Sequence, residues 1–115
     1  MLKNLSHRLS ELKNMLLNAS LSSFNLYHYW RDNPAVPYVI WQEDGEDISE
    51  YGDNVKLTQQ LTGSIDFYTK TEFDPIIDDL QAAMNEFEGF GWDLEAVTFE
   101  TDTGLIHYHW AWRMV

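Results

Sequence analysis

The sequence predicts an α+β domain over residues 1–115, with a mainly antiparallel sheet of about four strands, two helices on one face and the order α-β-β-α-β-β. Three observations predict it. From Gly104 the chain alternates: Ile106, Tyr108, Trp110, Trp112 and Met114 share one face, while Leu105, His107, His109, Ala111 and Arg113 share the other. Near the start, Leu2, Leu5, Leu9, Leu12 and Leu16 recur at helical spacing, with Met15 and Leu17 widening the stripe. A second helical stripe, of Ile76, Ile77, Leu80, Ala83, Met84 and Phe87, follows Asp74-Pro75.

The first helix, over residues 2–17, carries Lys3, His7, Arg8, Glu11, Lys13 and Asn14 on its polar face and packs on the sheet. Residues 24–30 read as a short aromatic strand or extended segment. Pro34 and Pro37 disfavour helix in the residue before each, so residues 31–37 form a loop. Residues 38–41 are a buried strand. Residues 42–54 are acidic and hydrophilic, with Gly45 and Gly52 as punctuation and Ile48 and Tyr51 as sole anchors. Such a loop is expected to be mobile until a neighbour orders it.

Residues 55–70 read as a strand region broken or bulged near Gly63, in which Ile65, Phe67 and Thr69 alternate with Ser64, Asp66, Tyr68 and Lys70. Asp74 caps the second helix with Pro75 at its first position, and Gly89 and Gly91 end it. Residues 92–101 form a strand whose alternation slips between Leu94 and Val97, the mark of a bulge or of a late start. Asp102, Thr103 and Gly104 turn the chain into the last strand.

The formal net charge is −12, and residues 41–100 hold sixteen acidic residues against Lys56 and Lys70. Such a surface repels phosphate, so stable nucleic-acid binding is not expected; it reads first as a device for solubility, and it also suits a wall past which nucleic acid slides. No apolar run approaches the length of a spanning helix, and none resembles a signal core, so no membrane partner is expected.

The chain contains no cysteine, which excludes thiol nucleophiles and thiolate metal sites. The period-two register keeps His107 and His109 out of the core, facing solvent, a metal or another subunit. A zinc site would need a third ligand, for which His28, Glu95 and Glu100 are candidates. Without an HExxH pattern, the expectation is no metal and no cofactor. Glu43, Asp44, Glu46, Asp47, Glu50 and Asp53 do not follow the EF-hand order and read as a solvated loop. Gly63-Ser64 lacks the GxSxG frame, and Gly89-x-Gly91 follows a helix where a phosphate loop would precede one. No catalytic residue is expected.

Several segments together resemble a known family. They are Tyr27-His28-Tyr29, Val36-Pro37-Tyr38-Val39-Ile40-Trp41, an acidic loop, and the run Thr62-Gly63-Ser64-Ile65-Asp66-Phe67-Tyr68-Thr69-Lys70. Asp74-Pro75-Ile76-Ile77 and Gly104-Leu105-Ile106-His107-Tyr108-His109-Trp110 complete the set. Over nearly its whole length the chain is similar to the tail-completion, or tail-terminator, proteins of long-tailed bacteriophages and prophages. The resemblance implies a small α+β fold and a non-enzymatic subunit of a hexameric ring. That ring caps the tail tube where it meets the head connector, so the implied partners are further copies of the chain, the tail tube protein and connector proteins. The implied location is the virion neck, after assembly in the bacterial cytoplasm. Subunit contacts are expected at Glu43, Asp44, Glu46, Asp47, Glu50, Tyr51, Tyr68, His107 and His109. Two other readings fit the residues: an acidic interaction module or inhibitor that mimics DNA, and a small-ligand or metal-binding α+β protein using His28, His107 or His109.

Overall fold

In the computed structural model, which describes residues 4–20, 23–47 and 50–115, helix α1 (Leu5–Ser20) leads into strand β1 (Asn25–His28) and strand β2 (Tyr38–Glu46). A small hairpin follows, β3 (Tyr51–Gly52) with β4 (Val55–Lys56). Then come β5 (Leu61–Thr69), helix α2 (Ile76–Glu86), β6 (Phe90–Glu100) and β7 (Leu105–Met114). The main sheet has the order β1-β2-β5-β7-β6. All its pairings are antiparallel except β1 with β2.

The α+β class and both helices agree with the sequence reading, but the strand count does not. The aromatic segment is a fifth strand, and it runs parallel to β2 with Asn25 opposite Tyr38 and His28 opposite Trp41. Only residues 29–37 connect the two strands, less than a parallel crossover usually requires. Positive φ at Tyr29 and Asn33 helps the short connection reverse. Asn25 ties it down, its side-chain amide donating to the Ala35 carbonyl at 3.0 Å.

The acidic stretch is also more structured than a bare loop, because β2 continues through it to Glu46 and the β3–β4 hairpin follows. Ile48, expected as an anchor, and Leu2, expected in the helical stripe, lie outside the described residues. The bulge foreseen in β6 falls between Leu94 and Ala96.

Alternation in the central strands places the core. Val39 and Trp41 of β2, Ile65 and Phe67 of β5, and Trp110, Trp112 and Met114 of β7 are buried on one face. Leu12 and Leu16 of α1 and Leu80 and Met84 of α2 pack against them in a single cluster. Both helices therefore cover the same side of the sheet. Tyr108, expected to be buried, is half-buried at the margin of this cluster.

The α1 stripe is rotated from its expected setting. Arg8, assigned to the polar face, is buried with Leu12 and Leu16, whereas Leu5 is exposed. Its guanidinium donates to the carbonyls of Val115 and Glu88 and to the Glu11 carboxylate, and it lies over the Phe87 ring. These contacts satisfy a charge that burial would otherwise penalise. At the start of α2, Asp74 accepts from the Ile76 N–H at 2.9 Å and from the Thr69 hydroxyl at 2.7 Å. The expected cap is therefore made, and it also fastens α2 to the end of β5.

β5 runs unbroken through Gly63, which pairs with Glu43 on one side and Trp112 on the other, and the bulge expected near it lies in β2, where the register shifts between Glu43 and Gly45. The glycine is required for a different reason. A Cβ there would overlap both the Gln42 carbonyl oxygen and the Trp112 indole. Gly63→Ala should accordingly cost about 3 kcal/mol in denaturant unfolding, since neither backbone nor buried ring can yield. The two core tryptophans should also respond differently. Trp110 donates its Nε1–H to Gln81, whereas Trp112 Nε1 has no partner among the described residues. Trp110→Phe, which strands the Gln81 oxygen, should destabilise more than Trp112→Phe in the same assay.

Candidate functional site

The face of the sheet opposite the helices is built from the alternate residues of the same strands. One row runs across it as Tyr38, Tyr68, His107 and Thr98 on β2, β5, β7 and β6. The Tyr38 and Tyr68 rings stack at 4.6 Å, and Tyr68 stacks on His107 at 4.2 Å with 14° between planes. Asn25 of β1 stands opposite Tyr38, while Tyr27, paired with Ile40 in the adjacent row, brings its ring centroid to 6.4 Å from that of Tyr38 and carries Arg31 above its own ring. Burial, and then the neighbouring Asp66 carboxylate, hold the Tyr68 phenol well above its ordinary range.

The next row places Ile40, Asp66, His109 and Ala96 side by side. One oxygen of Asp66, Oδ1, lies 2.6 Å from His107 Nε2 and 2.6 Å from His109 Nδ1. On the far side of the second ring, His109 Nε2 is 3.4 Å from the Glu95 carboxylate. Glu95 reaches it from the β6 bulge, the extra residue between Leu94 and Ala96. Burial works to raise the Asp66 carboxyl, but the two imidazole hydrogen bonds outweigh it and hold the group below the usual carboxylate range.

Asp66 is the candidate-site residue that sequence reasoning missed. Its position between Ile65 and Phe67 places it on the histidine face, but its pairing opposite His109 depends on strand register. Of the third ligands considered from sequence, Glu95 adjoins His109, Glu100 pairs with Leu105 at the end of β6, and His28 lies elsewhere.

The remaining predicted residues gather at the far end of β2. Glu43 accepts from the Tyr29 hydroxyl at 2.8 Å and pairs with His28 at 2.7 Å, whose ring stacks on Trp41. Asp44 accepts from Thr62, and Glu46 pairs with Lys56 at 2.5 Å. The Asp47 N–H donates to the Gln60 carbonyl, and that of Glu50 to the Thr58 hydroxyl. Tyr51 is exposed beneath the Lys56 ammonium. The nine residues expected at subunit contacts thus form two groups: Tyr68, His107 and His109 on the open face, and the acidic set around the β3–β4 hairpin.

Comparison with protein-family models finds no match, and neither does comparison with curated proteins. Among the described residues no helix is long and apolar enough to cross a membrane.

Glu43 offers a direct electrostatic test. Burial favours its neutral form, but bonds from His28, its own backbone N–H and Tyr29 prevail and lower its pKa. A carboxyl depressed in the folded state contributes stability that is full above its unfolded pKa of about 4.3 and is lost as pH falls through the folded value. Glu43→Gln should therefore be less stable than the native protein at neutral pH. Urea titrations at descending pH should show that gap closing below about pH 4.

Proposed function

We propose that this chain is a structural assembly protein of a long-tailed bacteriophage or prophage, a subunit of a hexameric ring that terminates the tail tube and joins it to the head connector. The tail assignment rests on the sequence resemblance. The β6–β7 hairpin is the observation that carries the ring. β6 is an edge strand of the sheet, and among the described residues its pairing partner is β7 alone. On this edge strand Leu94, Val97 and Phe99 are 43%, 54% and 62% exposed. By register all three belong to the helix-covered face, opposite Trp110, Tyr108 and Ile106, yet they extend beyond the helices' cover. A long, apolar, uncovered edge is a template for association with another chain.

In a cyclic ring each subunit offers one surface to a different surface of its neighbour. The hairpin supplies one such surface. The acidic group around β3–β4 and the polar-aromatic open face are the candidates for the other. The partners in this reading are further copies of the chain, the tail tube protein and connector proteins, and its place is the virion neck. The charge of −12 fits a ring that passes DNA without holding it.

The test is mass in solution. Six chains of 13.5 kDa make a ring of about 80 kDa, whose fraction should rise with concentration. The double variant Val97→Lys, Phe99→Glu should remain monomeric with little change in thermal stability, because both side chains are exposed. A tight dimer at all micromolar concentrations, through a large self-complementary apolar interface, would instead support the interaction-module reading.

A further inference from the structure

We infer that Asp66, His107 and His109 form a binding site for one divalent first-row transition metal ion, with zinc as the representative case. The inference is independent of the ring. One ligand atom from each of the three residues lies within 4.8 Å of the others, and Asp66 Oδ1 is 2.6 Å from both His107 Nε2 and His109 Nδ1. Zinc holds imidazole nitrogen and carboxylate oxygen at about 2.0–2.2 Å, so its tetrahedral ligands sit roughly 3.3 Å apart. Around an ion the present 2.6 Å separations from Asp66 would widen and the two imidazole nitrogens, now within 4.8 Å of each other, would approach the same spacing.

The surroundings match what a metal-ligating histidine requires. Such a residue presents one nitrogen to the ion and donates its other N–H to a carboxylate, carbonyl or water. His109 is placed for that arrangement, with Nδ1 bonded to Asp66 and Nε2 3.4 Å from the Glu95 carboxylate. His107 is held differently, by stacking on Tyr68. The three side chains are 18–33% exposed, sheltered enough to be fixed and open enough for an ion to enter.

Charge points the same way. A divalent ion on Asp66 and two neutral imidazoles leaves one positive charge, which Glu95 balances, and the protein as a whole is strongly acidic. Two imidazoles and a carboxylate leave a coordination position for water or for a group from another molecule. With no thiolate in the set, divalent zinc, cobalt, nickel and copper are favoured over monovalent copper.

The experiment uses the full chain, stripped with EDTA and titrated with zinc chloride in a calorimeter, with cobalt absorption as a second probe. The expected result is one ion per chain. Asp66→Asn and His109→Gln should each weaken binding at least tenfold, with the fold monitored by circular dichroism. A variant neutralising Glu43, Asp44, Glu46 and Asp47 together should bind zinc as the native protein does. Nitrogen-15 spectra of native histidines provide a readout that needs no variant: zinc should shift His107 Nε2 and His109 Nδ1 and leave His7 and His28 unmoved. Absence of saturable binding, native affinity in the Asp66 and His109 variants, loss of binding in the loop variant, or shifts confined to His7 and His28 would each overturn the site.

Discussion

The alternation of β7 is the constraint on which the molecule depends. This strand lies between β5 and β6, and its side chains divide between two environments. Trp110, Trp112 and Met114 anchor the core beneath both helices, while His107 and His109 stand on the open face. A slip of one residue would expose two tryptophans and bury two imidazoles, so the register is strongly specified. Gly63 yields its side-chain space to Trp112, and Asp66 meets the imidazoles only because that register holds.

The sequence made the elements more legible than their partners. Periodicity located both helices, the last strand and the β6 bulge, because each reflects the chemistry of neighbouring residues along the chain. It could not show that residues 25–28 run parallel to β2, since pairing direction depends on how a nine-residue connection turns in space. Arg8 looked solvent-exposed because it is charged. Its burial rests on carbonyls of Glu88 and Val115, remote in sequence. The same limit applied to the candidate site: alternation placed Asp66 on the histidine face, but only strand pairing brings its carboxylate to them.

The two faces of the sheet have different consequences for assembly. The helix-covered face continues past the helices along the β6–β7 hairpin, where apolar side chains remain uncovered. On the other face, tyrosines, imidazoles and carboxylates form a continuous polar-aromatic surface with one concentrated cluster of donor atoms. The acidic end of β2 and the segment after it, bonded through Asp44 to Thr62 of β5 and through Asp47 to Gln60 just before that strand, give the end of the sheet a strongly negative character. A chain with an apolar edge and an acidic end has two unlike surfaces, which is what the proposed closed cyclic assembly would require.

Amide hydrogen exchange, compared between dilute and concentrated protein, tests the role of the β6–β7 hairpin most directly. Residues 94–100 of β6 should gain protection as concentration rises, while the interior amides of β5 and β7 should be unchanged. Protection that appears instead on the helical surface of α1 and α2, with β6 exchanging equally fast at every concentration, would contradict assembly through this edge.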